Sequence, residues 1–222
     1  MDFKIISIGT LAKHSLWNES SNVRTGHATT TVIKSNKEIL LVDPSLPAPV
    51  IDAKLHERWG LRITDITHVF LTSFDSDRRR AIAGLNHAKW YMYKPEIEGA
   101  RASLEEEWHR SKEDQELSLW LEKQINLLEN FEGPEDCLME GVDLFPLPGY
   151  TAGTCGLLLP TPKMTIVLAG DAVPTSEHLE RCLVLQECQN IEIAQESMKE
   201  CLEIADVIIP GRDNILLSPI RT

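Results

Sequence analysis

The sequence predicts an α/β fold in which helices cover a layered sheet sandwich. Short apolar or β-branched runs alternate with helical segments in the first half of the chain. A charged helical stretch occupies the middle, and strand-like runs return in the last third. This order is typical of sheets with helices packed outside them. We expect one domain over residues 1–222, with a helical insertion at about residues 95–130.

The first half contains five predicted strands and two predicted helices. β-branched and apolar runs predict the strands, and apolar residues at helical spacing predict the helices. The strands cover residues 3–8, 28–34, 38–43, 66–72 and 88–93. The helices cover residues 50–59, ending at Gly60, and residues 76–85.

The middle of the chain lacks strand signals and is predicted to form one or two long helices. Residues 105–116 are highly charged and residues 117–128 are amphipathic. Charged helical segments are usually solvated faces, although this insertion is also a candidate dimer surface. Beyond it, strands are predicted at residues 142–147, 154–159, 164–169 and 206–209, with a helix at 191–204.

The charge balance excludes two classes of partner. The chain has 22 Lys and Arg against 34 Asp and Glu, a formal net charge of −12. Nucleic acids and anionic membranes select clustered basic residues, so we expect neither partner. No apolar run is long enough to cross a bilayer, and the five cysteines show no C-x-x-C spacing. Reduced thiols and an acidic N-terminal segment favour a cytoplasmic location.

Tight loops of small or polar residues follow several predicted strands. These loops lie in residues 67–78, 147–154, 167–172 and 207–213, and residues 39–44 end an opening hairpin. Taken in this order, they resemble the metallo-β-lactamase superfamily, the glyoxalase II-like hydrolases, over nearly the whole chain. The resemblance implies a four-layer αββα sandwich and a zinc site, usually binuclear, built from seven ligand positions.

The residues at those seven positions depart from the pattern of the family. The resemblance assigns the positions to Ser73, Asp75, Asp77, Arg78, Tyr150, Asp171 and Arg212. Two of the seven, Asp77 and Asp171, keep the residue type of the family, and every imidazole is replaced. We therefore treat the seven as the remnant of a metal site and name no catalytic residue among them.

This replacement argues against zinc as a cofactor. Zinc prefers imidazole, thiolate or carboxylate donors, whereas a guanidinium group stays protonated and offers no lone pair. Buried carboxylates without a metal need another partner. We expect Arg78 and Arg212 to pair with Asp75, Asp77 or Asp171 by charge-assisted hydrogen bonds.

Two other metal arrangements are open alternatives. The carboxylates of Asp75, Asp77 and Asp171 suit Mg²⁺, Mn²⁺ or Ca²⁺, although nearby arginines oppose any cation. None of the seven histidines falls at a ligand position, and three of them, His14, His27 and His178, lie in loop-like segments near the expected site. Ordinary polar roles are the simpler interpretation of all three.

Two functional classes follow from the sequence. The preferred one is a metallo-β-lactamase-fold protein with a degenerate metal site, which is not a zinc hydrolase. It binds a small anionic ligand or a protein partner, unless both arginine side chains are paired with the aspartates and the pocket is closed. The alternative is a metal-dependent hydrolase of esters, thioesters or lactones with a rearranged or non-zinc site; fold alone supports it.

Overall fold

The computed structural model describes residues 1–219, which form two six-stranded sheets. The strands of the first sheet lie in chain order: β1 (Asp2–Ser7), β2 (Thr30–Ser35), β3 (Glu38–Val42), β4 (His68–Leu71), β5 (Lys89–Met92) and β6 (Phe131–Glu132). Strands β1 to β3 pair antiparallel, and β3 to β6 pair parallel.

The second sheet is built by the later part of the chain, in the order β12-β11-β10-β9-β8-β7. Its strands are β7 (Cys137–Met139), β8 (Val142–Pro146), β9 (Cys155–Pro160), β10 (Thr165–Gly170), β11 (Val207–Pro210) and β12 (Leu216–Leu217). Strands β10 and β11 pair parallel and the other neighbours pair antiparallel, so β8, β10 and β11 run in one direction.

The two sheets pack face to face. Leu40 and Phe70 of the first sheet share a buried cluster with Leu157 and Leu168 of the second. Alternate residues such as Leu41 point to the opposite face of the first sheet and join a separate core. This alternation of inward and outward side chains is the pleat of a sheet that is covered on both faces.

Helices cover the outer face of each sheet and complete the predicted αββα sandwich. The helices are α1 (Ala48–Trp59), α2 (Lys94–Arg110), α3 (Gln115–Leu128), α4 (Ser176–Glu180) and α5 (Ile191–Ile204). Leu55 of α1 and Leu128 of α3 pack on the first sheet, and Met198 of α5 packs on the second. The predicted fold class is confirmed.

The helical insertion consists of two helices, α2 and α3, joined by a short turn. The Asp114 side chain accepts a hydrogen bond from the Leu117 amide and caps the start of α3. Leu121 and Leu128 are buried, whereas Leu119 and Trp120 are 54% and 48% exposed. Much of α3 therefore faces solvent, as its charge pattern indicates. Within residues 1–219, no helix is long and apolar enough to cross a membrane.

The predicted helix over residues 76–85 is wrong. This segment is a series of turns with one short 3-10 helix, Ile82–Leu85. Its backbone groups find partners outside the segment, because the Ala81 amide donates to the Pro44 carbonyl and Ser45 Oγ donates to the Asp77 carbonyl. These tertiary hydrogen bonds replace the i to i−4 bonds of a helix and hold the loop that carries Asp77 and Arg78.

Candidate functional site

The loops after five strands meet at one edge of the sandwich. Asp43 follows β3, Ser73 to Arg78 follow β4, Tyr150 follows β8, Asp171 follows β10 and Arg212 follows β11. The Cys155 amide donates to the Thr72 carbonyl across the two sheets, 3.0 Å away, and holds this edge together. Loops at the carboxyl ends of parallel strands are where α/β folds place their functional groups.

Arg78 is fully buried at the centre of this edge. Its Nη1 lies 2.6 Å from Asp43 Oδ2, its Nη2 forms an ion pair with Asp171, and its Nε lies 3.8 Å from Asp75 Oδ2. Burial alone would lower the pKa of Arg78, but the charges of Asp171, Asp43 and Asp75 outweigh burial and raise this pKa. The side chain is therefore a permanent buried cation.

Arg212 holds two more carboxylates. Its Nε lies 3.0 Å from Asp171 Oδ1 and its Nη2 lies 2.8 Å from Asp171 Oδ2, which is a bidentate pair. Its Nη1 donates to Asp77 Oδ2, and its Nη2 lies 3.4 Å from Asp77 Oδ1. Burial lowers the pKa of Arg212, and the charge of Asp171 more than restores it. The guanidinium group is 7% exposed.

Asp171 joins the two arginines and is fully buried. Burial raises the pKa of its carboxyl group, but Arg212 and Arg78 together hold that pKa well below its usual range. Asp43 behaves differently, because burial raises its pKa despite Arg78 and two hydrogen bonds from Thr72. The sequence marked Asp43 only as the end of a strand, and its pairing with Arg78 was missed.

Ser73 and Tyr150 contact Asp75 in the same cluster. Ser73 Oγ donates to Asp75 Oδ2 over 2.8 Å, and Tyr150 lies close to the same carboxylate. Burial raises the pKa of Tyr150, and the nearby charges of Asp171 and Asp75 raise it further. All seven residues selected from the sequence therefore lie together. The expected pairing of both arginines with these aspartates is present.

Glu96 is a further buried carboxylate that the sequence analysis missed. It lies in the first turn of α2, where its Oε1 accepts from the Phe74 amide at 2.8 Å and its Oε2 accepts from Thr151 Oγ1 at 2.5 Å. Burial raises its pKa. Glu96 thereby ties the helical insertion to the two loops that carry Asp75 and Tyr150.

A cleft opens above this cluster. One lobe, of about 250 Å³, extends between residues 11–26 and residues 185–187, and a second lobe, of about 480 Å³, reaches Asp75 and Arg80. Both lobes share the same floor, formed by Asp77, Tyr150 and Arg212. The larger lobe is in the lower part of the volume range of small-molecule sites, and the smaller lobe is just below that range.

Two histidines come together beside this cleft, but outside the cluster. His14 and His178 are both buried, with ring centroids 5.3 Å apart. Thr175 Oγ1 lies 2.9 Å from His178 Nδ1, and Glu177 Oε2 lies 3.4 Å from His14 Nε2. Trp17 stacks on His14, with ring centroids 4.2 Å apart. These contacts anchor the N-terminal loop to α4, which is a structural role.

Sequence comparison identifies the family of this chain. Residues 23–203 match the family Lactamase_B, described as the metallo-beta-lactamase superfamily. The chain belongs to the metallo-β-lactamase superfamily. No curated protein sequence matches it.

Solved structures of this superfamily have the same fold. A Thermotoga maritima protein assigned to the metallo-β-lactamases has 15% identity and a TM-score of 0.70, covering 97% of this chain and 98% of that one. AidC, a dizinc quorum-quenching lactonase, has 15% identity and a TM-score of 0.63, covering 79% and 67%. AiiA of B. thuringiensis, solved with N-decanoyl-L-homoserine, has 18% identity and a TM-score of 0.62, covering 95% and 92%.

The superfamily implies zinc, and the side chains at this edge do not suit that ion. Arg78 and Arg212 are cations without a lone pair, and their guanidinium groups lie directly against Asp43, Asp77 and Asp171. A divalent cation would have to displace these guanidinium groups from the carboxylates that they already pair with. Within residues 1–219, no three His, Cys, Asp or Glu side chains are grouped so that they could hold a metal ion.

Proposed function

We propose that this member of the superfamily is a ligand-binding protein, and not a zinc hydrolase, because an arginine–aspartate cluster replaces the metal site. The bidentate pair between Arg212 and Asp171 carries the proposal. Asp171 matches the acid that bridges two metals in the family pattern. Here both of its oxygens accept hydrogen bonds from a guanidinium group, which supplies the positive charge that a metal would supply.

The second arginine supports the same proposal. Arg78 neutralises Asp171 from the other side and also pairs with Asp43. Buried carboxylates without a partner are strongly destabilising, so each arginine stabilises the fold in a role that metal ions would otherwise fill. The charged side chains are paired with one another in a single cluster, made up of Asp43, Asp77, Asp171 and the two arginines.

Hydrolysis of an ester, thioester or lactone is the alternative function. It requires an activated water, which a metal supplies readily and a lone carboxylate supplies less well. Asp77 lines the cleft, but its carboxylate already forms an ion pair with Arg212. The side chains therefore favour binding over hydrolysis.

A small ligand in the cleft suits this geometry better than a protein partner does. The cleft is concave and is lined by hydroxyl, amide and charged groups around a buried ionic floor. The sequence led us to expect a small anionic ligand. Because Arg78 and Arg212 are occupied by aspartates, an anionic group of the ligand would have to bind at the rim of the cleft.

The metal content of the protein tests this proposal. We expect protein purified without chelators to contain far less than one zinc atom per chain by plasma mass spectrometry. We also expect EDTA to leave its melting temperature unchanged, since no metal stabilises the fold. Near-stoichiometric zinc, or a clear fall in melting temperature with EDTA, would overturn the proposal.

A further inference from the structure

The charges at the floor of the cleft restrict which functional groups of a ligand can bind there. Arg78 has no exposed surface and Arg212 is 7% exposed, so neither cation faces the cleft freely. The Asp75 and Asp77 side chains are 35% and 24% exposed. The part of the cluster that a ligand can reach therefore consists mainly of carboxylate oxygens.

The cluster beneath the floor has a negative balance of charge. Four carboxylates, those of Asp43, Asp75, Asp77 and Asp171, face two guanidinium groups, which leaves a formal charge of −2. Asp75 has the longest ion-pair distance of the four, 3.8 Å from Arg78 Nε, and Arg79 is a second cation near it. A ligand cation that donates hydrogen bonds is the group that this position attracts most strongly.

The rim of the same cleft has the opposite charge. Arg80 lines the larger lobe, where its Nη2 donates to the Gly26 carbonyl at 2.8 Å. Lys13 lines the smaller lobe and is exposed. In the part of the chain that the structure describes, neither cation forms an ion pair, so no carboxylate neutralises the positive charge of either; Arg80 Nη1 also lies 3.5 Å from the Ser45 carbonyl.

We propose that the cleft binds a small zwitterion with a primary ammonium group and a carboxylate. The ammonium group binds Asp75 and Asp77 at the floor, and the carboxylate binds Arg80 at the rim. Tyr150 and Asn22, which also line the larger lobe, supply polar contacts between the two ends. This inference rests on the proposed function, because a metal bound at Asp75 and Asp77 would exclude the ammonium group.

A matched series of probes tests the requirement for both charges. Glycine, β-alanine, 4-aminobutyrate and 5-aminopentanoate are compared with the amine and the carboxylic acid of the same chain length, first by saturation-transfer NMR and then by calorimetry. We expect at least one amino acid to bind about tenfold or more tightly than its matched amine and acid. Equal binding of all three compounds, preference for the plain acid, or no binding by any amino acid would overturn the inference.

Two variants locate the two ends of the ligand. Asp75→Asn and Arg80→Gln should each weaken the binding of the amino acid with the highest affinity by about tenfold, because each removes one charge-assisted contact. Arg110→Gln and Asp136→Asn change exposed residues away from the cleft and should leave the affinity for this amino acid unchanged. Unchanged affinity in both cleft variants would contradict the assigned site. Arg80→Gln keeps the test decisive if Asp75→Asn fails to fold.

The outcomes separate this inference from the proposed function. Zinc in the purified protein would refute the proposed function whatever the probes do. A metal-free protein that binds no amino acid in the series would refute only the zwitterion.

Discussion

Arg212 clamps Asp171 through two parallel contacts, with Nε 3.0 Å from Oδ1 and Nη2 2.8 Å from Oδ2. The same guanidinium group also donates to Asp77, which lies on the loop after β4 in the other sheet. One side chain thus joins the ends of strands from both sheets. The resemblance seen in the sequence predicts the metal-ligand positions at this same edge.

Removing this guanidinium group should destabilise the fold strongly. In Arg212→Ala, the fully buried Asp171 keeps only Arg78 as a partner, and Asp77 loses its ion pair. We expect a loss of about 3–5 kcal/mol in the free energy of unfolding, measured with urea. Arg110→Ala removes an ion pair in which the arginine side chain is 69% exposed, and it should lower the free energy of unfolding by less than about 1 kcal/mol. Equal losses in both variants would show that the cluster contributes little to stability.

Acid should remove the stabilisation that Asp171 provides. Its folded-state pKa lies below the value of an unfolded chain, about 3.9, so its contribution is present above about pH 4 and is lost as the pH falls toward the folded value. We expect the stability gap between the wild type and Asp171→Asn to be largest near pH 7 and to shrink below pH 4. Urea unfolding across this range measures the gap, and a constant gap would contradict the assignment.

Asp43 should show the opposite dependence on pH. Burial raises its folded-state pKa above the unfolded value, so protonation favours the folded state, and its stabilisation grows as the pH falls through the folded value. We therefore expect the gap between the wild type and Asp43→Asn to widen, not shrink, as the pH falls through the folded-state pKa of Asp43. Asp136→Asn, which removes a carboxylate at an exposed position, serves as the control for both aspartate variants.

Gly149 should tolerate no side chain, because it packs against α5. Its φ is +123°, and an added Cβ would lie 2.2 Å from the Ala194 amide nitrogen. Gly149→Ala should therefore cost more than about 3 kcal/mol, since backbone strain adds to overpacking. Gly60 also has a positive φ, +66°, but nothing lies within 4 Å of its added Cβ, so Gly60→Ala should cost about 1–2 kcal/mol. Thermal unfolding of both variants measures the difference, and similar losses would contradict the packing argument.

Restoring imidazoles should restore metal binding if the seven positions are a former metal site. A variant with Ser73→His, Asp75→His, Arg78→His, Tyr150→His and Arg212→His should bind zinc, because imidazole donors then surround Asp77 and Asp171. The control carries the three substitutions Ser73→His, Asp75→His and Tyr150→His and keeps both arginines. We expect it to bind no zinc, because both guanidinium groups still occupy the carboxylates of Asp77 and Asp171. Plasma mass spectrometry measures both, and zinc in the control would show that the arginines do not exclude metal.

Much of the fold was predictable because its signals are local. The helix predicted over residues 191–204 is α5, Ile191–Ile204, since Asn190 caps its start and Ala194, Met198 and Cys201 recur on one face. The long strands lie within one or two residues of their apolar runs. The strands of two or three residues, β6, β7 and β12, were missed, because such short segments are strands only through their neighbours in the sheet.

The sequence by itself determined which residue types occupy the seven positions and that no imidazole is among them. Only the tertiary structure decided how these residues are paired. It placed Asp43 beside Arg78, brought Glu96 to the loops of Phe74 and Thr151, and made residues 76–81 a loop instead of a helix. Each of these results depends on satisfying buried charges and backbone groups across long sequence separations. Such pairing is a property of the packed fold, because no local pattern records which distant group will become the partner.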